Sequence, residues 1–175
     1  MSHPLIDLAR EAIRHYLATG EYLDVSDRPG DGPPSGLFVS LHDPARPGEV
    51  EGDLRGCRGS VRPYAPTLYA EVVQEAVNSA VDDPRCPSIR PDEVDDIAIT
   101  VYLLKPQEEV HSLSELDPAR YGILVEGESG RRALLLPGIP GIETAAEQVY
   151  LTKRKASVHR DEPVTIYRFE ADVLK

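Results

Sequence analysis

Hydrophobic residues recur at every third or fourth position in three stretches of this chain, which is the spacing of an amphipathic helix. The first predicted helix covers residues 5–17, with Pro4 at its start and Gly20 past its end. The second covers residues 66–81 and opens at a proline. A third helix, with a weaker repeat, is predicted over residues 143–157. We expect the first helix to lay its apolar face on a β-sheet.

Other segments have the composition and spacing of β-strands. Residues 97–104 form a nearly unbroken run of apolar side chains, which indicates a buried strand. Residues 127–130, Gly-Glu-Ser-Gly, join two further segments into a predicted hairpin. Residues 24–36 and 43–53 are rich in Asp, Gly and Pro, so they are predicted to be loops. The predicted strands are 37–42, 97–104, 121–126, 131–137 and a single closing strand over 164–174.

The order of these elements predicts the fold class. Helices and strands are interspersed without a regular βαβ rhythm, and a hairpin is present. This favours an α+β fold with a mixed or largely antiparallel sheet and flanking helices. A chain of 175 residues suffices for one substantial domain or two closely joined subdomains.

Composition narrows the function classes. With 30 acidic and 19 basic residues the formal net charge is −11, which repels nucleic acid over most of the surface. No apolar run is long enough to span a bilayer and no secretion signal is recognisable, so the expectation is a cytoplasmic protein without a membrane partner. No metal-ligand spacing, Walker loop or dinucleotide fingerprint appears, and we therefore predict neither a metal nor a cofactor.

Candidate chemistry concentrates in residues 54–60, Leu-Arg-Gly-Cys-Arg-Gly-Ser, which contain one of the two cysteines. Cysteine is a nucleophile only as the thiolate, so a functional Cys57 needs nearby positive charge to lower a pKa of about 8.5. Arg55 and Arg58 flank it and are placed to supply that charge. The alternative is a tight turn in which Cys57 is a small buried apolar residue and both arginines lie in solvent.

The two glycines of the segment, Gly56 and Gly59, let a ligand approach the main chain because they have no side chain. The amides of residues 56–60 are therefore predicted to converge on an anion, as in a nest or an oxyanion hole. The amino-terminal end of the second helix follows closely, and its dipole would favour the same anion.

Two residues outside the segment are candidates for the same site. His42 ends the preceding strand, where it is predicted to reach the thiol as a general base, unless it is simply a surface histidine. Arg85 follows the second helix in the sequence Asp-Pro-Arg and would suit a carboxylate or phosphate ligand. The alternative is that Asp-Pro only ends the helix and starts a turn.

Residues 54–59 resemble LRGCIG, the signature of the AMMECR protein family, known in eukaryotes from the AMME chromosomal region and in prokaryotes as AmmeMemoRadiSam system protein A. The resemblance covers nearly the whole chain. Further segments that match in order are 36–41, the DPR of 83–85, 122–125, the LLLP of 134–137 and 167–171. The chain departs from the family pattern at Arg58, where an apolar residue is usual, at Cys86, where an aromatic is expected, and at Gly138, where glutamine is usual.

The resemblance implies a single AMMECR-like domain over residues 1–175, with a larger and a smaller subdomain and the signature near the cleft between them. It also implies partner proteins, because relatives are often encoded with a Memo-like protein and a radical SAM protein.

Two hypotheses for function follow. In the first, the protein is a small enzyme in which Cys57 is the nucleophile or an acid/base group, and backbone amides with Arg55, Arg58 and Arg85 hold a small anionic substrate. In the second, it is a non-catalytic module that binds a ligand or a partner protein, with the Memo-like and radical SAM proteins as the partners that the resemblance implies.

Overall fold

The structure is a computed structural model that describes residues 3–28, 33–45 and 54–175. The three predicted helices and the predicted hairpin are present. In chain order the elements are α1 (Pro4–Thr19), β1 (Leu37–His42), β2 (Leu54–Ser60), α2 (Leu68–Val81), β3 (Ala98–Leu104), β4 (Glu108–Val110), a 3-10 turn (Leu113–Glu115), β5 (Gly122–Gly127), β6 (Arg132–Leu135), α3 (Ala145–Lys155), β7 (Val164–Phe169) and β8 (Ala171–Leu174).

The chain divides into a larger and a smaller compact unit, Met1–Leu104 with Asp172–Lys175 and Lys105–Ala171. Over the described residues the strands form two four-stranded sheets, in the orders β2-β1-β3-β8 and β4-β7-β5-β6. β1 pairs antiparallel with β2 and β3, and β7 pairs antiparallel with β4 and β5. The prediction of an α+β fold with largely antiparallel sheets and flanking helices is confirmed.

The core of the larger unit forms where α1 and α2 cover one face of the first sheet. Leu37, Val39 and Leu41 are fully buried and alternate along β1, as expected for the strand face that meets the helices. Buried residues of α1, α2 and β3 complete this cluster, among them Ala9, Ala12, Val72, Ala76, Val77 and Val101. Residues between them on β1 are buried as well, including Ser40 at 4% exposure. β1 is therefore covered on both faces.

α2 begins two residues later than the sequence predicts. Thr67 is its N-cap, because the Thr67 hydroxyl accepts a hydrogen bond from the backbone N–H of Ala70. Pro66 thus precedes the helix instead of opening it. The cap satisfies a donor that the first turn of the helix cannot satisfy internally.

The predicted closing strand is wrong as a single element. β7 belongs to the sheet of the smaller unit, and β8 belongs to the sheet of the larger one. Glu170 separates them, and its backbone C=O accepts from the N–H of Lys105 at 2.8 Å. The alternation of side chains continues from β7 into β8, but the two strands form hydrogen bonds with strands of different sheets. The sequence analysis also missed β4 and β2: residues 54–60 pair with β1 as an edge strand, whereas the sequence predicts a tight turn or an anion nest there. The predicted loops 24–36 and 43–53 lie partly outside the described residues.

A close contact fixes α2 against the edge strand β2. A Cβ atom placed on Gly56 would lie 1.8 Å from the backbone oxygen of Ser79, so only glycine permits this approach. The Ser79 hydroxyl accepts from the N–H of Arg58 at 2.9 Å and donates to the C=O of Val39 at 2.8 Å. Since Arg58 and Val39 are cross-strand partners, one helix hydroxyl bridges β1 and β2.

We expect Gly56→Ala to lower the free energy of unfolding by about 1–3 kcal/mol or more, because the added methyl group would push α2 away from β2. Chemical denaturation measures the change. Gly20→Ala is the matched control: nothing lies within 4 Å of its added Cβ, so it reports only the cost of a left-handed backbone. An unchanged denaturation midpoint for Gly56→Ala would show that this approach does not exist in solution.

Candidate functional site

Cys57 lies in the middle of β2, directly opposite Ser40 on β1. Its backbone N–H donates to the Asp83 carboxylate at 2.9 Å, and its C=O accepts from the Arg85 guanidinium at 3.2 Å. Both backbone groups of Cys57 therefore face away from β1. Ser40 and Cys57 consequently form a non-hydrogen-bonded antiparallel pair, the narrow type in which Cα atoms are about 4.5 Å apart and side chains are closest.

The thiol projects from the sheet face opposite to α2. Gly56 faces the helix, and successive residues of a strand point to opposite faces, so Cys57 points the other way. Ser40, as the partner of Cys57, shares this face, and Thr100 is the partner of Ser40 on β3. Ser40 and Thr100 are buried, whereas Cys57 is partly exposed. The Ser40 hydroxyl is thus a buried polar group in register beside the thiol, at the edge of the sheet.

His42 is the last residue of β1, as predicted, and lies on the same face as Ser40. Its Nε2 atom is 2.6 Å from the Ser40 Oγ atom. Ser40 thus contacts the His42 imidazole on its own strand and lies opposite Cys57 on the neighbouring strand. The structure brings His42 into the group around Cys57, and its action as a base stays a prediction.

Asp83 and Arg85 hold the outer edge of β2. The buried Asp83 carboxylate accepts from the Arg85 Nε and Nη2 atoms at 2.9 and 2.7 Å. These bonds, together with the N–H of Cys57, hold the pKa of Asp83 well below its usual range. Arg85 reaches the backbone of Cys57, as the sequence suggested, but its charge is balanced by Asp83.

Arg55 and Arg58 each form an ion pair with a carboxylate. Arg55 forms a two-pronged ion pair with Glu93 at 2.8 and 3.2 Å, which lowers the pKa of Glu93 to about 2. Arg58 alternates with Cys57 and so belongs to the other face of β2, where its guanidinium lies 3.6 Å from Asp82. The expectation that both arginines supply positive charge to the thiol receives no support from this geometry.

Two backbone N–H groups of the predicted anion nest already bind side chains of the protein, so they are not open to a ligand. The N–H of Cys57 is bound by the Asp83 carboxylate and the N–H of Arg58 by the Ser79 hydroxyl. The anion that this strand edge binds is thus a carboxylate of the protein itself. Gly59 serves packing, because a Cβ there would lie 2.4 Å from the ring of Phe38.

The predicted contribution of the α2 dipole is also wrong. The signature contacts the carboxyl-terminal half of the helix at Ser79 and the residues that follow the helix at Asp83. The amino-terminal end of α2, at Leu68, is 11 residues away from Ser79 along the chain (79 − 68 = 11). The carboxyl-terminal end carries partial negative charge, which does not favour an anion.

Sequence reasoning missed a buried polar row on α2. Glu71 and Glu75 are 0% and 3% exposed, and Ser79 lies on the same helix face. Glu71 accepts from the Ser60 hydroxyl and from the N–H groups of Tyr64 and Ala65 at 2.9, 3.0 and 2.7 Å. It thereby fixes the loop that leaves β2. The signal was available, because fourfold spacing links residues 71, 75, 79 and 83 beside the apolar row 68, 72, 76 and 80.

Glu75, which is buried, and Cys86, which is partly exposed, both have a raised pKa. Burial raises the pKa of Glu75, whose carboxyl group accepts from the Tyr64 hydroxyl at 3.0 Å. Burial, and then the charge of Asp83, raise the pKa of the Cys86 thiol, which donates to the C=O of Leu54 at 3.4 Å. Cys57 and Cys86 are not joined in a disulfide.

The described residues contain neither a cluster that could hold a metal ion nor a helix that could cross a membrane. Among residues 3–28, 33–45 and 54–175, no cluster of three or more His, Cys, Asp or Glu side chains has the geometry to hold a metal ion. In the same part of the chain, every helix is too short or too polar to cross a membrane.

Comparison with known proteins identifies the family of this chain. The model of the family described as AMMECR1 matches residues 6–174. The chain belongs to the AMMECR1 family. It is 38% identical to a protein of Thermotoga maritima over 181 residues, which cover 99% of this chain and 98% of the relative. It is 34% identical to a Clostridium acetobutylicum protein over 171 residues, 95% of this chain but 34% of that longer protein.

A solved AMMECR1-family relative has the same fold. The crystal structure of the uncharacterized protein PH0010 from Pyrococcus horikoshii superposes with a TM-score of 0.86 at 32% sequence identity. The match covers 97% of this chain and 88% of that chain. The fold is thus shared with a protein of the same family.

We expect Asp83→Asn to lower the free energy of unfolding by about 2 kcal/mol at neutral pH, because Asn cannot balance the charge of Arg85. The pKa of Asp83 is lowered in the fold, so its stabilising effect is present above the ordinary carboxyl pKa of about 3.9 and is lost as the pH falls below it. The difference between wild type and variant, measured by denaturation, therefore shrinks from about pH 5 toward pH 3.

Asp92→Asn is the matched control, since the Asp92 side chain is 73% exposed and its ion pair with Arg90 contributes little. Equal stability losses in both variants would contradict a special role for the Asp83 carboxylate.

Proposed function

We propose that this AMMECR1-family protein is a cysteine-dependent enzyme in which the Cys57 thiol attacks an electrophilic centre of a small substrate. The observation that carries the proposal is the placement of Cys57. It is a partly exposed thiol at a sheet edge, opposite Ser40, which is itself bound to His42 at 2.6 Å. A structural cysteine needs neither solvent access nor a hydroxyl–imidazole pair beside it.

The backbone of Cys57 is rigid, which suits a nucleophile. Asp83 and Arg85 bind its N–H and C=O at the outer edge of β2, and β2 as a whole is paired with β1. A side chain on such a support keeps its direction when substrate binds, so less ordering entropy opposes the reaction.

Substrate recognition is proposed to involve Arg85. Its side chain is 52% exposed even though it binds Asp83, so part of the guanidinium remains available to an anionic group of the substrate. Arg55, Gly56, Arg58 and Gly59 support the strand around Cys57 in this proposal. A reducing compartment such as the cytoplasm would keep Cys57 as a thiol, and we propose that location.

A second candidate is a non-catalytic binding module. Tyr22 and Tyr64 are 48% and 55% exposed, and both bind α2 residues, Asn78 and Glu75, through their hydroxyl groups. Exposed tyrosines with a nearby arginine, here Arg58, are common in protein interfaces. The partners in this alternative are Memo-like and radical SAM proteins, as the family resemblance suggests. Cys57→Ser would leave such binding intact, whereas it would abolish thiol chemistry.

We expect the Cys57 thiol to react with iodoacetamide about tenfold faster at pH 7 than the thiol of an unstructured peptide, because a nucleophilic cysteine has a depressed pKa. Cys86→Ser leaves Cys57 as the reporting thiol, and mass spectrometry follows its alkylation. Cys57→Ser is the matched control, in which Cys86 should react slowly because burial raises its pKa. A Cys57 rate equal to that of the peptide rules out the nucleophile.

A further inference from the structure

We propose that Ser40 relays the Cys57 proton to His42, so that Ser40 is a positioning residue for the nucleophile. The inference rests on the proposed function of Cys57 as a reactive thiol. It adds a route for the proton and assigns a role to a residue that sequence reasoning did not single out.

The first support is the register of the sheet. Ser40 and Cys57 are direct partners, and the outward orientation of the Cys57 N–H and C=O makes theirs a non-hydrogen-bonded pair. Cβ atoms of such pairs lie about 4.5–5.5 Å apart on one face. A hydroxyl and a thiol at this spacing reach hydrogen-bonding distance by rotating about their own side-chain bonds.

The second support is the short contact between Ser40 Oγ and His42 Nε2, at 2.6 Å. When the imidazole carries its proton on Nδ1, Nε2 accepts and the serine hydroxyl donates. The oxygen of Ser40 then has lone pairs for a proton from a second neighbour. Cys57, across the strand, is that neighbour.

The third support is the difference in exposure. Ser40 is 4% exposed, while Cys57 and His42 are both partly exposed. A buried hydroxyl meets no substrate, so Ser40 is poorly suited to be the nucleophile itself. It is suited to pass a proton between two side chains that do reach solvent.

The transfer balances without any further reactant. The S–H bond of Cys57 breaks, and its proton binds the Ser40 oxygen. The original hydroxyl proton of Ser40 moves to Nε2 of His42. The products are a thiolate, a neutral serine hydroxyl and an imidazolium, which form an ion pair across the serine.

Few other groups around the thiol titrate near neutral pH. The nearby charges are the Asp83–Arg85 pair, in which the pKa of Asp83 is lowered and that of Arg85 is raised. On β3 the pKa of Tyr102 is raised, by burial and then by the charge of Cys57. Asp43 is the next residue after His42 in sequence. Histidine is the side-chain type that takes up and releases a proton near neutral pH, and His42 is the imidazole bound to Ser40.

The test compares rates of Cys57 alkylation by iodoacetamide from pH 5 to pH 9 in the Cys86→Ser background. Ser40→Ala removes the relay, Ser40→Thr restores a hydroxyl, and His42→Gln removes the acceptor of the proton. Thr100→Val is the matched control, because it removes a buried hydroxyl from the other strand partner of Ser40.

The relay predicts that Ser40→Ala and His42→Gln each lower the rate at pH 7 by about tenfold, which corresponds to a thiol pKa raised by about one unit. The step near the histidine pKa should disappear from both profiles. Ser40→Thr and Thr100→Val should keep the rate and profile of the background protein. Rescue by threonine distinguishes proton transfer from a general loss of packing.

Two outcomes would overturn the relay while leaving the proposed function standing. One is a fast Cys57 rate in the background protein that Ser40→Ala leaves unchanged. The other is a lower alkylation rate in Ser40→Ala together with an unchanged rate in His42→Gln. This outcome decides the question even if Ser40→Ala is poorly folded. A background rate no faster than that of a peptide thiol would instead reject the nucleophile, and the relay with it.

Discussion

The close docking of α2 onto the edge strand β2 is the constraint on which the rest of the larger unit depends. At Gly56 the helix backbone approaches so closely that any side chain would collide with Ser79. Polar residues at fourfold spacing along the helix then bind what lies beside them: Glu71 holds the loop after β2, Ser79 bridges two strands, and Asp83 binds the amide of Cys57. An edge strand normally exposes unsatisfied backbone groups, and here Asp83 and Arg85, which follow α2, bind the outward N–H and C=O of Cys57.

This docking determines the direction of Cys57. Because Gly56 must face the helix, the thiol must face away from it, onto the face that Ser40 and His42 share. The same contacts pair the Arg85 guanidinium with Asp83 and bind the N–H groups of Cys57 and Arg58, two of the amides that the sequence offered for an anion. The side chains in register beside the thiol are the Ser40 hydroxyl and, bound to it, the His42 imidazole.

The structure also accounts for two departures from the family pattern. Arg58, where the resemblance implies an apolar residue, lies on the other face of β2 near Asp82 with its side chain 43% exposed, so its charged head reaches solvent. Cys86 stands where an aromatic is expected, and its thiol donates to the C=O of Leu54. Cys86 thereby contacts the edge strand β2, in which Cys57 is the register partner of Ser40.

Periodicity alone determined the helices, the hairpin and the α+β class, because these depend on local spacing and on turn residues. The composition around Cys57 marked this segment as the candidate site, but it did not indicate that the segment is the edge strand β2. Only the tertiary structure decided which groups meet. Arg55 pairs with Glu93, Asp83 and Ser79 bind the N–H groups of Cys57 and Arg58, and the closing strand is divided between two sheets. These contacts join residues 21–38 positions apart or elements of different sheets, and no local pattern encodes such pairings, because register and helix docking are set by packing across the whole unit.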